Sequence, residues 1–182
     1  MRKTRKAAAV LTAVAMAAVS AAPVMADEIK DLYDYETQAR EVETWNILHS
    51  QSAADLNVLT NLYDGLVEAD EYGKVVPAIA ESWETEDNGI TWTFHLREGV
   101  KWVDQNGNEK GEVTAQDFLT GLEWILNFHK NDAANTSMPM EMIVGAEDYY
   151  NMTSELDADA GFALTAESPE FADTVGIKAI DD

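Results

Sequence analysis

Cysteine is absent from the 182-residue chain, and its absence excludes several kinds of chemistry at once. Without cysteine there are no disulfide bonds, no thiolate nucleophiles, no cysteine-ligated zinc and no iron–sulfur clusters. The lipid-modified cysteine that anchors many exported bacterial proteins is missing as well, so we expect no lipid anchor. A hydrophobic core must therefore hold the fold, and five tryptophans, six tyrosines and five phenylalanines supply bulk for it.

Basic residues are scarce. The chain has 12 Lys and Arg against 34 Asp and Glu, which gives a formal net charge of −22 at pH 7. Proteins bind nucleic acid mainly by neutralising phosphates with Lys and Arg, and polybasic segments bind anionic lipid headgroups in the same way. The charge balance therefore excludes nucleic acid and an electrostatically bound lipid surface as partners.

The N-terminal apolar run, residues 7–19, is too short to span a bilayer, which requires about 20 residues. A basic head at residues 2–6 precedes it, and Val24 and Ala26 place small residues at the −3 and −1 positions of a cleavage site. This order predicts a secretory signal peptide over residues 1–26 and export to the periplasm, the cell envelope or the extracellular face. The alternative is a short Ala-rich helix that begins a cytosolic domain.

Motifs of catalytic and metal sites are absent too. No serine lies in a G-x-S-x-G sequence, and no G-x-G-x-x-G occurs. Residues 104–108 begin like a calcium loop, but Glu109 stands where the loop needs glycine. The histidines His49, His95 and His129 are far apart in the sequence. We therefore predict no cofactor, no metal and no enzymatic activity, with an exported hydrolase or a surface adhesion module as the alternative class.

Apolar periodicity and turn residues predict short strands and helices after an acidic spacer at residues 27–43. Alternating runs at 82–86 and 90–96 predict a hairpin. Thr114 and Asp117 are spaced like a capping box, which predicts a helix from there to about Phe128. The other expected strands are 44–48, 66–67, 74–76, 100–103 and one beginning at 175, and the other expected helices run from Ser50 or Ser52 to Leu62 and near 141–150.

The same periodicity predicts which side chains form the core. Alternation places Trp92 and Phe94 on one face of the second hairpin strand. Phe118, Leu122 and Ile125 recur at helical spacing. We expect both sets to be buried and not to stack on a ligand.

Four sequence blocks in this order carry a family resemblance. They are NLYDGLV at 61–67, GKVVPAIAESWE at 73–84, GITWTFHLREGVKW at 89–102 and VTAQDF at 113–118, and VGIKAIDD at 175–182 also fits. The chain resembles the family 5 extracellular solute-binding proteins, the oligopeptide-binding components of ABC importers. It departs from many members in its longer loop at 104–111.

The resemblance implies an α/β fold of the periplasmic-binding-protein type (type II), in which two lobes close on the ligand. Because family members are about three times longer, residues 44–182 are expected to be an N-terminal part of lobe one with its small subdomain. Such a truncated chain should bind peptides weakly, since one wall of the cleft is missing.

The resemblance also implies a function: capture of peptides for import and delivery to membrane permease subunits, by a protein that we expect to be a monomer. Nickel, haem, sugar or opine ligands remain alternatives within the family. The ligand-contacting positions fall on Ser50, Gln51, Ser52 and Ala53. The alternative for the two serines is that one of them simply caps the following helix.

Overall fold

The computed structural model describes residues 41–130 and 135–180, and these fall in one structural unit. The predicted signal peptide and nearly all of the predicted acidic spacer lie outside the described residues. The described strands are β1 (Val67–Ala69), β2 (Val75–Pro77), β3 (Ala80–Glu84), β4 (Thr93–Leu96), β5 (Lys101–Val103) and β6 (Glu109–Glu112). The described helices are α1 (Ala53–Leu59), α2 (Ala115–Leu126), α3 (Ser137–Met142), α4 (Ala146–Ser154), α5 (Ala158–Phe162) and α6 (Pro169–Ala172). Within these ranges, no helix has the length and apolar character needed to cross a membrane.

The six strands form three antiparallel hairpins, β1–β2, β3–β4 and β5–β6. The first hairpin turns at Asp70, whose carboxylate accepts hydrogen bonds from the backbone nitrogens of Tyr72 and Lys74, at 2.9 Å each. The mixture of helices and strands agrees with the expected α/β class, although every strand pair in the described residues is antiparallel.

The second hairpin is present, but its second strand is shorter than the sequence predicts. β4 begins at Thr93, because the Asp87 carboxylate accepts hydrogen bonds from the Thr91 nitrogen (2.6 Å) and hydroxyl (2.7 Å). Side-chain bonds to nearby backbone compete with strand pairing. The expectation that Trp92 and Phe94 belong to the core is wrong, since they are 48% and 37% exposed.

Two expectations near the start of the described chain are also wrong. Residues 44–48 form no strand, because the Asn46 carbonyl accepts hydrogen bonds from the nitrogens of His49 and Ser50 and so closes a turn. The following helix, α1, ends at Leu59 instead of reaching Leu62.

Later elements differ from expectation as well. Strand β6 was not predicted, because its residues EKGE have no apolar alternation. Where one helix was expected near 141–150, two are present, α3 and α4, and Gly145 separates them with a φ of 73° that favours glycine. Helices α5 and α6 follow, and residues 175–180 form no strand.

Helix α2 begins with the predicted capping box. The Asp117 carboxylate accepts a hydrogen bond from the Thr114 nitrogen at 2.9 Å, which satisfies a backbone donor that the helix itself leaves unpaired. The same carboxylate oxygen accepts a hydrogen bond from the Trp102 indole at 3.1 Å. Asp117 thus joins the β5–β6 hairpin to the start of α2.

We expect Asp117→Ala to lower the free energy of unfolding by about 0.5–2 kcal/mol, the usual cost of losing a helix cap. The matched control is Asp148→Ala, which removes an exposed acid from the first turn of α4 and therefore changes the interaction with a helix dipole in the same way. Urea unfolding of both variants checks the difference. Equal losses of unfolding free energy in the two variants would show that Asp117 stabilises the helix only through its charge and not through its capping hydrogen bonds.

The core lies among the helices. Its buried side chains are Leu126, Ala146, Tyr149, Ala166, Phe171 and Val175, and Leu119 and Leu122 pack against them. Phe118 and Ile125, expected in the core, are half-buried; Leu126 is the buried apolar side chain of α2, and the half-buried Leu119 and Leu122 pack against the core. The predicted core stripe is therefore correct only at Leu122.

A charged network lies within this core. Lys130 Nζ is 2.8 Å from the Glu123 carboxylate, and the two side chains are 7% and 2% exposed. The Glu123 carboxylate also accepts hydrogen bonds from the Tyr149 hydroxyl and the Asn127 carboxamide, at 2.8 Å each. Burial, together with the hydrogen bond to Glu123, raises the pKa of Tyr149. The Lys130 ammonium also donates to the Leu164 carbonyl, so the network joins α2 to the α5–α6 connection.

Candidate ligand-contacting segment

The four predicted ligand-contacting residues, Ser50, Gln51, Ser52 and Ala53 (the 50–53 segment), lead into helix α1. Their side chains alternate between inside and outside. Ser50 and Ser52 are 2% and 8% exposed, whereas Gln51 and Ala53 are exposed. Ser52 has extended backbone angles, φ −89° and ψ 127°. This alternation is typical of an extended chain with one face packed, and the extended chain ends at Ser52, because Ala53 is the first residue of α1.

The hydroxyl of Ser50 is engaged within the chain. It donates a hydrogen bond to Asp55 Oδ2 at 3.0 Å and accepts one from the Ser52 nitrogen at 3.3 Å. Asp55 is 1% exposed, and its other carboxylate oxygen accepts a hydrogen bond from the Glu43 nitrogen at 2.9 Å. A buried carboxylate needs such partners. The side chains that face outward from the 50–53 segment are those of Gln51 and Ala53.

Ser52 occupies the N-cap position of α1, but its side chain makes no capping hydrogen bond. Its carbonyl accepts the first helical bond, from the Leu56 nitrogen at 2.9 Å. The helix-cap alternative is therefore right about the position of Ser52 and wrong about its hydroxyl.

Two residues distant in sequence hold the chain just before and within the 50–53 segment. The Asn135 carboxamide donates hydrogen bonds to the carbonyls of Ser50 (2.8 Å) and Leu48 (3.3 Å). The Trp124 indole lies 3.5 Å from Nε2 of His49. The sequence analysis did not identify Asn135, Trp124 or Asp55 as partners of this part of the chain. The spacing Ser52-x-x-Asp55 is a local signal for Asp55, but no local pattern connects Asn135 to a segment 85 residues earlier.

Two surface depressions lie elsewhere. One has a volume of about 270 Å³ and is lined by residues 140–145, Glu147 and Asp148. The other, about 240 Å³, is lined by residues 84–87, Thr91 and Thr93. Both are smaller than typical ligand pockets of roughly 300–1,000 Å³, and neither includes the 50–53 segment.

The loop that begins like a calcium site is organised by its own hydrogen bonds. The Asp104 carboxylate accepts hydrogen bonds from the Asn108 side chain and lies 2.9 Å from Lys110 Nζ. The Asn108 hydrogen bonds, with that of Lys110 next, lower the pKa of Asp104. Within residues 41–130 and 135–180, no cluster of three or more His, Asp or Glu side chains is placed to hold a metal ion.

Comparison with known proteins places the chain among binding proteins. Residues 74–182 match the family described as bacterial extracellular solute-binding proteins, family 5 Middle. The chain is 34% identical to oligopeptide-binding protein AliB of Streptococcus pneumoniae serotype 4 over 150 residues, which cover 82% of this chain and 20% of AliB. It is 34% identical to oligopeptide-binding protein AmiA of the same organism, over 94% of this chain and 23% of AmiA. It is 32% identical to the periplasmic oligopeptide-binding protein OppA of Salmonella typhimurium, over 100% of this chain and 30% of OppA.

These matches define a solute-binding protein. The family that they identify is one of binding proteins and not of enzymes. The chain belongs to family 5 of the bacterial extracellular solute-binding proteins, which confirms the resemblance found in its sequence. It spans 20 to 30% of the length of the three relatives named above.

Proposed function

We propose that this chain is part of an exported binding protein that captures peptides for an ABC importer, and that the 50–53 segment contacts the peptide. The observation that carries the proposal is the similarity to three proteins named as oligopeptide-binding, at 32–34% identity. These names favour peptides over nickel, haem, sugar or opine ligands.

The geometry of the 50–53 segment supports peptide contact. A peptide can bind along an exposed segment through main-chain hydrogen bonds, which give affinity without requiring one peptide sequence. The inward-facing Ser50 and Ser52 hold the segment on the fold, and Gln51 and Ala53 are exposed to solvent.

We further propose that residues 44–182 form part of lobe one of a two-lobed type II binding protein, preceded by a signal peptide at 1–26 and an acidic spacer at 27–43. The greater length of the relatives supports the two-lobed architecture. The family description as extracellular, and the naming of OppA as periplasmic, support export. Permease subunits in the membrane would then be the partners of a monomeric binding protein.

We expect the 182-residue chain to bind an equimolar tri- to pentapeptide mixture with a dissociation constant in the millimolar range, about −4 kcal/mol. A single open segment buries little of the peptide, and only the interaction energy that exceeds the cost of ordering it contributes to affinity. Titration followed by amide chemical shifts measures such weak binding directly. The amides of Gln51 and Ala53 should shift.

A substitution pair tests the location. Ala53→Glu places a long charged side chain at the exposed first residue of α1 and should weaken binding about tenfold or more. Ala158→Glu makes the same change at the exposed first residue of α5 and should leave binding unaltered. Peptide-induced shifts that bypass residues 50–53, or equal binding by both variants, would exclude the 50–53 segment as the contact site.

A further inference from the structure

Asn135 connects two parts of the chain that are far apart in sequence. It is half-buried and precedes helix α3 by one residue, Thr136, which is 5% exposed. Its carboxamide nitrogen carries two hydrogens, and each has a carbonyl acceptor, Ser50 at 2.8 Å and Leu48 at 3.3 Å. The two acceptors flank His49, so one side chain holds the backbone at two points, immediately before the exposed Gln51.

We propose that Asn135 is a positioning residue for peptide binding: its carboxamide fixes the backbone of residues 48–50 against the start of α3 and so holds the extended Gln51, and Ala53 at the start of α1, in a fixed position. The inference rests on the proposed function, since it assigns a role relative to the 50–53 segment.

The physical reason is preorganisation. A peptide that adds to an extended segment must find that segment already ordered, or part of the binding energy is used to order it. The contacts within the segment are local. Ser50 donates to Asp55 five residues away, and the Ser50 nitrogen donates to the Asn46 carbonyl four residues away. Asn135 supplies hydrogen bonds at sequence separations of 85 and 87. These two bonds therefore fix the local unit on the rest of the fold.

The neighbouring contact of His49 supports the same assignment. The Trp124 indole on α2 approaches His49 Nε2 at 3.5 Å, close to the limit for a hydrogen bond. Asn135 makes the shorter contact, and it acts on backbone groups, whose position decides how a peptide main chain would pair. We therefore assign the positioning role to Asn135 and not to Trp124.

The test compares three variants of the whole chain. Asn135→Asp has nearly the same shape but no N–H groups, and its carboxylate would repel the two carbonyl oxygens. Asn135→Gln keeps both N–H groups and should restore part of the wild-type behaviour. Asn57→Asp introduces the same charge at an exposed position on α1 and is the matched control.

Hydrogen exchange of the His49, Ser50 and Ser52 amides is the first readout, because each has an acceptor in or beside the segment. We expect Asn135→Asp to speed exchange at these amides about tenfold, as suits the loss of one or two hydrogen bonds, while the amides of Phe171 and Val175 remain unchanged. Asn57→Asp should exchange like the wild type.

The second readout is the dissociation constant for the tri- to pentapeptide mixture, which Asn135→Asp should raise about tenfold and Asn135→Gln should raise less. Unchanged exchange at residues 49–52 in Asn135→Asp would overturn the positioning role. Faster exchange with unchanged peptide affinity would overturn its link to binding. If the wild type shows no peptide-induced shifts, the proposed function fails, and the exchange data alone still decide whether Asn135 positions the segment.

Discussion

Lys130→Met should lower the free energy of unfolding by about 3–5 kcal/mol, the cost of removing one partner from a buried ion pair. Glu123 would remain in the core, 2% exposed, without the ammonium that lies 2.8 Å from its carboxylate. The Leu164 carbonyl would lose its donor at the same time. Urea unfolding, read by tryptophan fluorescence, measures the loss.

The matched control is Lys101→Met. Lys101 pairs with Glu112 at 3.1 Å, but the two side chains are 36% and 51% exposed. Solvent screens an exposed pair, so its loss should cost less than about 1 kcal/mol. The double variant Glu123→Gln with Lys130→Met should regain part of the stability, because it leaves no buried charge without a partner. Equal losses for Lys130→Met and Lys101→Met would show that burial does not set the energy of the Glu123–Lys130 pair.

Phe171→Ala is expected to cost about 3–5 kcal/mol, as is usual when a fully buried aromatic ring is truncated. Phe171 is 0% exposed, and its ring meets that of Tyr149 edge to face, with centroids 5.1 Å apart. Removing it would leave a cavity between α4 and α6 and would also lose this ring contact.

Phe94→Ala removes the same atoms from a side chain that is 37% exposed, and it should cost less. Strand alternation alone assigns Phe94 to a core and so predicts a similar cost for both substitutions. Thermal and urea unfolding of the two variants therefore test whether Phe94 is partly exposed, as in the structure, or buried, as strand alternation predicts. A loss at Phe94 as large as that at Phe171 would mean that Phe94 is buried in solution.

Local chemistry explains which parts of the fold the sequence could predict. Asp70, Thr114 and Asp117 bond to backbone groups no more than four residues away, so their turn and helix start follow from sequence spacing. The strand predicted at residue 90 failed for an equally local reason, because Asp87 takes up the Thr91 nitrogen and hydroxyl in the turn.

The contacts that support the candidate segment could not be predicted from the sequence. The resemblance led to Ser50, Gln51, Ser52 and Ala53, and alternation of buried and exposed side chains agrees with an extended segment there. Its distant support comes from Asn135, which bonds to Ser50 85 residues away, and from Trp124, whose indole lies near the preceding His49, 75 residues away. Partners at that separation depend on how the helices pack, which no periodicity in the sequence encodes.

The position of the core along the chain has a consequence for synthesis. All six of its buried side chains lie between Leu126 and Val175, whereas the last strand of the three hairpins ends at Glu112. At about 5–20 residues per second, a ribosome needs roughly 2.5–10 s to add the fifty or so residues from Leu126 to Val175. During that interval the hairpins have been made but the core cannot close, and two-stranded hairpins alone are marginally stable in water. The nascent chain therefore lacks a closed core until helices α3 to α6 have been made.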